Sequence, residues 1–527
     1  MPLPTPQQRA VLDAVRDDSP NLAVNAVAGS GKTTTIVGAC REAGSGSGFV
    51  AFNNHIVTEL RTRLGGAAEA STLHSLGFRC LTKRFPSITK DDRKVRGHLE
   101  RMYPRLHREG RGKWAGRKFI NPTWRGLESA VSLIRQLNFF PSADLPGFEA
   151  ACWAREVELP QHPGDKADFF RYAEDTAVEV RADTAKCDFD DMIWMPVQLG
   201  LVKPQYRTLF VDETQDLSPV QQALALASGD RLVIVGDPNQ SIMGFAGADE
   251  QGFDRLTKRL AEADRGAREM PLSNCFRCPE SHIRLAQMLV PRITSAAFAD
   301  EGEARDSNPT ELLNDARAGD MVLCRATVPL IRLATRFITR DVPVMIRGRS
   351  IGDDLESLLT QLAPDTPADL ARLLDLWLAD QVEKLEAADA PDFALERVRD
   401  RAVGLSALAF RCDTIAAVRA RLHALFGDDK AATRVLLSTV HRSKGLEAER
   451  VWVYEPGLMP GRRGGQELNV LYVALTRSKQ SLFFVDDEVR RADRFDEWVR
   501  RAAEGCTRAD LTDHPTREEE DEPCSTS

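Results

Sequence analysis

The chain has 527 residues, of which 43% are hydrophobic and 28% are charged, and its formal net charge is −8 at pH 7. This is the composition of a soluble globular protein, and the length favours several domains. No apolar run approaches the ~20 residues of a membrane span, and the N-terminus lacks the regions of a secretory signal. The ten cysteines are scattered, which favours reduced thiols and a cytoplasmic location over a disulfide framework.

Two sets of short apolar runs predict two sheets. The first set comprises residues 21–27, 48–52, 207–211 and 231–235, and the second comprises 320–324, 342–346, 435–438, 450–454 and 481–485. Helical patterns separate the runs, so we predict an α/β fold with two parallel-sheet cores. Mainly helical insertions interrupt the cores at 83–195 and 352–430, and the acidic end 511–527 is predicted to be disordered.

Positive charge is concentrated at the start of the first insertion. Residues 83–125 hold fourteen basic and four acidic side chains, a net charge of +10, with five aromatic residues between them: Phe85, Tyr103, Trp114, Phe119 and Trp124. Such a segment suits a polyanion with stackable bases. A solvated helical face is the alternative, and the composition alone does not decide between the two.

The stretch AVAGSGKTT, residues 26–34, follows an apolar run and precedes a helical one. Glycines in this position let backbone N–H groups surround phosphates, while Lys32 meets the β/γ-phosphates and the Thr33 hydroxyl ligates Mg²⁺. Ala26 stands where the pattern usually begins with glycine, which costs little if φ is negative. We therefore predict a nucleotide site, with an incidental glycine-rich turn as the alternative.

Further candidate catalytic residues follow other strands. Asp212 can hold Mg²⁺ opposite Thr33, Glu213 can activate the attacking water, and Gln240 can touch the γ-phosphate. A helix N-cap is the alternative reading of the two acids. Arg277 and Arg477 could neutralise the transition state, although single arginines are usually surface residues. Cys275 and Cys278 form a lone CxxC pair, for which packing is favoured over metal binding.

Taken together, the motifs resemble superfamily 1 DNA helicases of the UvrD/Rep type. The resemblance runs in order from Thr5 to about Val485, through TPQQRAV, AVAGSGKTT, VAFNNHIVTEL, STLHS, FVDETQD, GDPNQSIMGFAGA, NCFRC, STVHRSKGLE and ELNVLYVALTRS. In this family alanine is common at the Ala26 position. The residues of these motifs resemble the F-box DNA helicase branch of the family most. We expect no F-box-like extension, because the first motif begins at residue 5.

The resemblance implies roles for individual residues. Catalysis would involve Lys32, Thr33, Asp212, Glu213, Gln240 and two arginine fingers, Arg277 and Arg477. Thr33 and Asp212 would hold the metal. The nucleotide would be bound by Gln8, Ala28, Gly29, Ser30, Gly31, Lys32, Thr33, Thr34, Phe276 and Glu447. DNA would be bound by Phe52, Asn53, Thr72, His74, Phe245, His441 and Lys444.

Three positions depart from the family pattern. Met243 replaces a usual tyrosine and Ala246 a usual arginine, both on the DNA side. Thr34 takes a place often held by arginine near the nucleotide. We therefore expect a complete set of ATPase residues. We also expect the DNA-binding surface to hold the strand differently from that of other family members.

The resemblance also implies an architecture and an activity. Two RecA-like P-loop domains are expected, 1A (1–82 and 196–270) and 2A (271–351 and 431–510), with insertions 1B (83–195) and 2B (352–430). The expected function is an ATP- and Mg²⁺-dependent, monomeric 3′→5′ DNA translocase and helicase in repair, recombination or replication, acting on single-stranded DNA and tailed or forked duplexes. Opposite polarity, an RNA track, or a nucleotide-gated DNA-binding protein with weak unwinding remain alternatives.

Overall fold

A computed structural model describes most of the chain. The described residues are 4–17, 20–51, 54–104, 113–114, 117–118, 122–155, 157–160, 163–242, 252–387, 390–426, 433–454 and 465–486. Within these ranges, no helix has both the length and the apolar character needed to cross a bilayer.

The first domain is built on a six-stranded parallel sheet. In spatial order its strands are Ala267–Leu272, Asn21–Ala26, Leu232–Gly236, Thr208–Val211, Ser47–Ala51 and Glu69–Thr72. The accompanying helices are Pro6–Arg16, Lys32–Ala43, Asn54–Leu64, Leu73–Arg84, Asp191–Gln198, Pro219–Ser228 and Gly252–Glu262. The sheet therefore assembles strands from both sides of the first insertion.

The second domain repeats this arrangement. Its parallel strands lie in the order Glu303–Ser307, Ser478–Val485, Ala448–Tyr454, Met321–Cys324, Val435–Thr439 and Val344–Ile346. Its helices are Glu280–Leu289, Pro309–Asp315, Thr327–Ile338 and Gly465–Leu475, and the short strands Asn274–Cys275 and Thr294–Ser295 pair beside it. The predicted α/β fold with two RecA-like sheets is confirmed.

Alternate residues of the central strands belong to different cores. Leu232 and Ile234 join the apolar cluster on one face of the first sheet, whereas Val233 and Val235 join the cluster on the other. Side chains of a strand alternate between its two faces, so a strand covered on both reads as a continuous apolar run. This is why these strands could be located from the sequence.

The first insertion is a helical unit. Its helices are Lys94–Met102, Pro122–Leu137, Leu145–Ala154 and Pro163–Ala182, with short strands at Thr89–Lys90, Lys113–Trp114, Arg117–Lys118 and Lys186–Cys187. Trp124 is buried in its core, and Tyr103 packs on Tyr172 with ring centroids 4.4 Å apart. These two aromatic residues of the basic segment therefore support packing, while Phe119 lies outside the described residues.

The second insertion is also helical. It consists of the helices Arg349–Leu362, Pro367–Ala387, Asp392–Ala409 and Ile415–Phe426. Its buried face, which includes Leu358, Leu374 and Leu405, shares one apolar cluster with the sheet residues Val435 and Leu437. The insertion is therefore packed directly onto the second sheet.

A buried ion network joins the first insertion to its domain. Arg135 lies 2.6 Å from Asp188 Oδ1, 3.2 Å from Asp190 Oδ2 and 3.1 Å from Asp191 Oδ1. Lys94 Nζ lies 2.7 Å from Asp191 Oδ2, and both of these side chains are fully buried. A buried charge without its partner is costly, so the network fixes the chain where it returns to the first domain.

Arg135→Ala is expected to lower the free energy of unfolding by about 3–5 kcal/mol, because it leaves buried carboxylates unpaired. Equilibrium denaturation followed by tryptophan fluorescence measures this. Arg171→Ala is the matched control, since Arg171 is 59% exposed and its solvent-screened ion pair with Asp168 should contribute little to stability. Equal losses in the two variants would contradict the importance of the network.

Candidate active site

The phosphate loop connects the buried strand Asn21–Ala26 to the helix that begins at Lys32. Gly29 and Gly31 have φ of +66° and +75°, a region that favours glycine. A Cβ on Gly29 would lie 2.8 Å from both Cys275 Sγ and Arg277 Cβ, so the loop is packed closely against a segment of the second domain. Ala26 ends the strand and is fully buried.

Two acidic residues follow the strand Thr208–Val211 at the edge of the loop. The Thr33 hydroxyl lies beside the Asp212 carboxylate and favours its charged form. Burial and the neighbouring Glu213 raise the pKa of Asp212 to about 7, although Lys32 opposes this. Burial also opposes ionisation of Glu213, but Lys32, Lys444 and a hydrogen bond from Gln215 outweigh it and lower the pKa of Glu213. Glu213 is therefore the carboxylate kept ionised.

Gln215 connects this acidic turn to the turn that carries Gln240. Its Nε2 donates to Glu213 Oε2 at 2.6 Å, and its Oε1 accepts from the Asp237 N–H at 3.1 Å. Gln240 is 5% exposed, and its Nε2 has no hydrogen-bond partner among the described residues. A buried amide donor without an acceptor is costly, which fits a site that receives an anionic oxygen.

The second domain contributes two arginines to the same region. Arg477 is buried and donates to the carbonyls of Val473 at 3.0 Å and Leu446 at 3.2 Å. Burial and the nearby Arg277 lower the pKa of Arg477 to about 10, so it remains charged at neutral pH. Arg277 is held by an ion pair, its Nε lying 2.7 Å from Glu447 Oε2.

A cleft of about 1320 Å³ between the domains brings most of the predicted residues together. Its lining includes the predicted catalytic residues Lys32, Thr33, Glu213, Gln240, Arg277 and Arg477, and the predicted nucleotide residues Gly29, Ser30, Gly31, Thr34, Phe276 and Glu447. Asp212 is not part of this lining but lies beside Thr33. The geometry places cations from one domain opposite carboxylates and a phosphate loop from the other.

The remaining predicted nucleotide residues lie beside the loop. Gln8 forms a capping box with Thr5, and its Nε2 donates to the Ser30 carbonyl at 3.4 Å. The Ala28 N–H does not face the cleft but donates to the Tyr472 hydroxyl at 3.0 Å. Their roles toward a nucleotide stay predictions.

The predicted DNA residues fall into three groups. His74 and His441 line the same cleft, and burial lowers the pKa of each to about 4, so both are neutral at pH 7. Thr72 accepts from the Ser75 N–H at 3.1 Å and caps a helix, while Lys444 Nζ lies 2.6 Å from Asp216 Oδ1 and connects the domains. The predicted residues Phe52, Asn53 and Phe245, and the departures Met243 and Ala246, lie outside the described residues.

Three residues at the cleft or at the interface between the domains were not predicted from the sequence. Phe189 is 59% exposed and stacks on His74, with ring centroids 3.8 Å apart. Arg63 donates to the Thr34 hydroxyl at 3.1 Å and so brings a cation beside the threonine that departs from the family pattern. Tyr472 reaches the phosphate loop from the second domain. Tyr472 lies inside the motif ELNVLYVALTRS, but its contact with the phosphate loop depends on a distant segment of the chain.

Comparison with known families agrees with this geometry. Residues 5–261 match the UvrD/REP helicase N-terminal domain, and residues 434–485 match the UvrD-like helicase C-terminal domain. These two regions hold the phosphate loop and the second arginine, respectively. The chain belongs to the UvrD-like DNA helicase family, which confirms the resemblance found in the sequence.

Individual relatives point to the same family. F-box DNA helicase 1 of Gallus gallus is 23% identical over 523 residues, covering 91% of this chain and 48% of that protein. F-box DNA helicase protein 1 of Schizosaccharomyces pombe is 28% identical over 315 residues, covering 54% of this chain and 34% of that protein. ATP-dependent DNA helicase UvrD2 of Mycobacterium tuberculosis is 27% identical over 299 residues, covering 49% of this chain and 39% of that protein. The matches thus span less than half the length of each relative.

Proposed function

We propose that the protein is an ATP-dependent translocase on single-stranded DNA that unwinds tailed or forked duplexes, with 3′→5′ polarity. The observation that supports this best is the shared cleft, in which Arg277 and Arg477 of one domain face Lys32, Glu213 and Gln240 of the other. The relatives named as DNA helicases support DNA as the track. We further propose that it acts in repair, recombination or replication.

Hydrolysis would depend on groups from both domains. Lys32 and the loop N–H groups bind the phosphates, and Glu213 orients and deprotonates the attacking water. Gln240 donates its free Nε2 to the γ-phosphate. Arg277 and Arg477 offset the charge that develops in the transition state. Because these arginines belong to the second domain, the reaction is competent only when the domains are close together.

The residues at Asp212 fit a divalent cation. Thr33 and Asp212 offer a hydroxyl and a carboxylate oxygen, the ligands that Mg²⁺ prefers. The raised pKa of Asp212 reflects a buried carboxylate whose negative charge Lys32 only partly offsets, and a cation would complete that compensation. Mg²⁺ held there would neutralise charge on the β- and γ-phosphates.

The proposed DNA track runs along the part of the cleft that is lined by His74, Phe189 and His441. His74 and the exposed face of Phe189 lie on the first domain, and His441 lies on the second. Bases stack on such aromatic faces without regard to sequence. A strand that contacts both domains would be moved when ATP binding and hydrolysis change the distance between them.

The proposal is tested by ATP hydrolysis with and without nucleic acid. We expect ATPase activity that requires Mg²⁺ and is strongly stimulated by single-stranded DNA, and less so by RNA of the same length. Stimulation by RNA alone would instead support an RNA track. Hydrolysis that no nucleic acid stimulates would contradict the proposal.

Phe189→Ala is expected to weaken binding of a single-stranded oligonucleotide by about 1–3 kcal/mol, because one stacking surface is lost. Fluorescence anisotropy at fixed salt concentration measures the affinity. Phe410→Ala is the matched control, since Phe410 is also 59% exposed but lies at the end of a helix of the second insertion. Indistinguishable affinities for the two variants would argue against a track over Phe189.

A further inference from the structure

Tyr472 is a fully buried side chain at the interface between the domains. It lies in the helix Gly465–Leu475 of the second domain, and its exposed fraction is 0%. Its ring packs in an apolar cluster that contains Val27 and Ala28 of the first domain together with Ile283 of the second. A polar atom brought into such surroundings requires hydrogen-bond partners there.

The phenol hydroxyl finds both partners in the first domain. It accepts from the Ala28 N–H at 3.0 Å and donates to Asp237 Oδ2 at 3.4 Å. Burial and the nearby Asp237 carboxylate raise the pKa of Tyr472 well above its usual range, so the hydroxyl keeps the proton that it donates. Phenylalanine would preserve the ring but lose both hydrogen bonds.

The two partners belong to different elements of the ATP site. Ala28 directly precedes Gly29 in the phosphate loop. Asp237 Oδ1 accepts from the Asn239 N–H at 3.1 Å, which shapes the turn Pro238–Gln240. One hydroxyl therefore connects the loop that binds phosphates to the turn that presents Gln240.

On the second domain, the same residue anchors the segment that carries Arg477. The Tyr472 carbonyl accepts from the Thr476 N–H at 3.2 Å and from the Thr476 hydroxyl at 2.9 Å. Thr476 directly precedes Arg477, whose Nε donates to the carbonyl of Val473. The Tyr472 backbone is therefore joined directly to the segment that carries the second arginine.

We propose that the Tyr472 hydroxyl is a positioning group for ATP hydrolysis, coupling approach of the two domains to the conformation of the phosphate loop and the Gln240 turn. This inference rests on the proposed function. Separation of the domains breaks both hydrogen bonds, and approach restores them as Arg477 arrives. Because the hydroxyl acts through these elements, its loss slows hydrolysis more than it weakens nucleotide binding.

The test is Tyr472→Phe in the full-length protein. We expect kcat for DNA-stimulated ATP hydrolysis, normalised to titrated active sites, to fall about tenfold. We expect the dissociation constant of a fluorescent non-hydrolysable ATP analogue to change by less than about threefold. Tyr206→Phe is the matched control, because that buried phenol accepts from Arg79 at 2.7 Å within the first domain, and it should keep the wild-type kcat.

Two results would overturn the inference: an unchanged kcat, or a loss confined to nucleotide affinity. If Tyr472→Phe does not fold, hydrogen exchange in the wild-type protein replaces it. Residues 26–29 should then exchange more slowly with the analogue and DNA bound than without them, and equal rates would overturn the inference. Absence of ATP hydrolysis by the wild-type protein would refute the proposed function instead, and the exchange measurement would still test the Tyr472 contact.

Discussion

Lys32→Ala is expected to lower kcat for DNA-stimulated ATP hydrolysis by about 10³-fold. Lys32 begins the helix after the phosphate loop, and it stabilises both carboxylates of the acidic turn in their charged forms. Removing a preorganised positive charge from a transition state costs ~10²–10³-fold in kcat, and loss of phosphate binding adds to this. The measurement is steady-state ATPase with saturating single-stranded DNA.

Lys203→Ala is the matched control for that variant. Lys203 is an exposed lysine of the same domain and does not line the cleft. It should hydrolyse ATP at the wild-type rate, and both variants should unfold at the wild-type temperature. If Lys32→Ala hydrolysed ATP normally, the phosphate-loop assignment would be wrong.

Arg277→Ala is expected to have the second large effect, a fall in kcat of about 10³-fold or more. An arginine supplied to a phosphoryl-transfer site contributes ~10³–10⁵ in kcat. Nucleotide affinity should change far less, because Arg277 would act on charge that develops during the reaction. Single-turnover hydrolysis, together with binding of a non-hydrolysable analogue, separates the two quantities.

Arg284→Ala controls for loss of charge in the same segment. Arg284 lies seven residues further along, on the helix Glu280–Leu289, and is exposed with Glu301 as its partner. It should leave kcat unchanged. If Arg277→Ala mainly weakened nucleotide binding and left kcat intact, Arg277 would be a binding residue and not a finger.

The buried strands could be located from the sequence, including the edge strand Val344–Ile346, whereas three exposed edge strands of the two six-stranded sheets could not. Leu232–Gly236 and Thr208–Val211 are covered on both faces and read as apolar runs. The strands Glu69–Thr72, Ala267–Leu272 and Glu303–Ser307 were not predicted. Each lies at the edge of its sheet and carries exposed residues, so no apolar run marks it.

The candidate site was predictable where chemistry depends on local spacing. The loop around Lys32 and the acidic pair after residue 211 are recognisable because glycines, a lysine and carboxylates follow strands in a fixed order. The contacts of Tyr472 across the interface between the domains were not predictable, because its partners lie 444 and 235 residues away along the chain. The pairing of Arg277 with Glu447 depends on folding in the same way.

Strand separation on tailed duplexes tests the central claim most directly. The substrates share one labelled duplex and carry a single-stranded tail at the 3′ end, the 5′ end, or neither. We expect displacement of the labelled strand from the 3′-tailed duplex only, in the presence of ATP and Mg²⁺, and none with Lys32→Ala. Displacement from the 5′-tailed duplex alone would reverse the polarity. ATP hydrolysis without strand displacement on any substrate would contradict the helicase assignment and favour a nucleotide-gated DNA-binding protein.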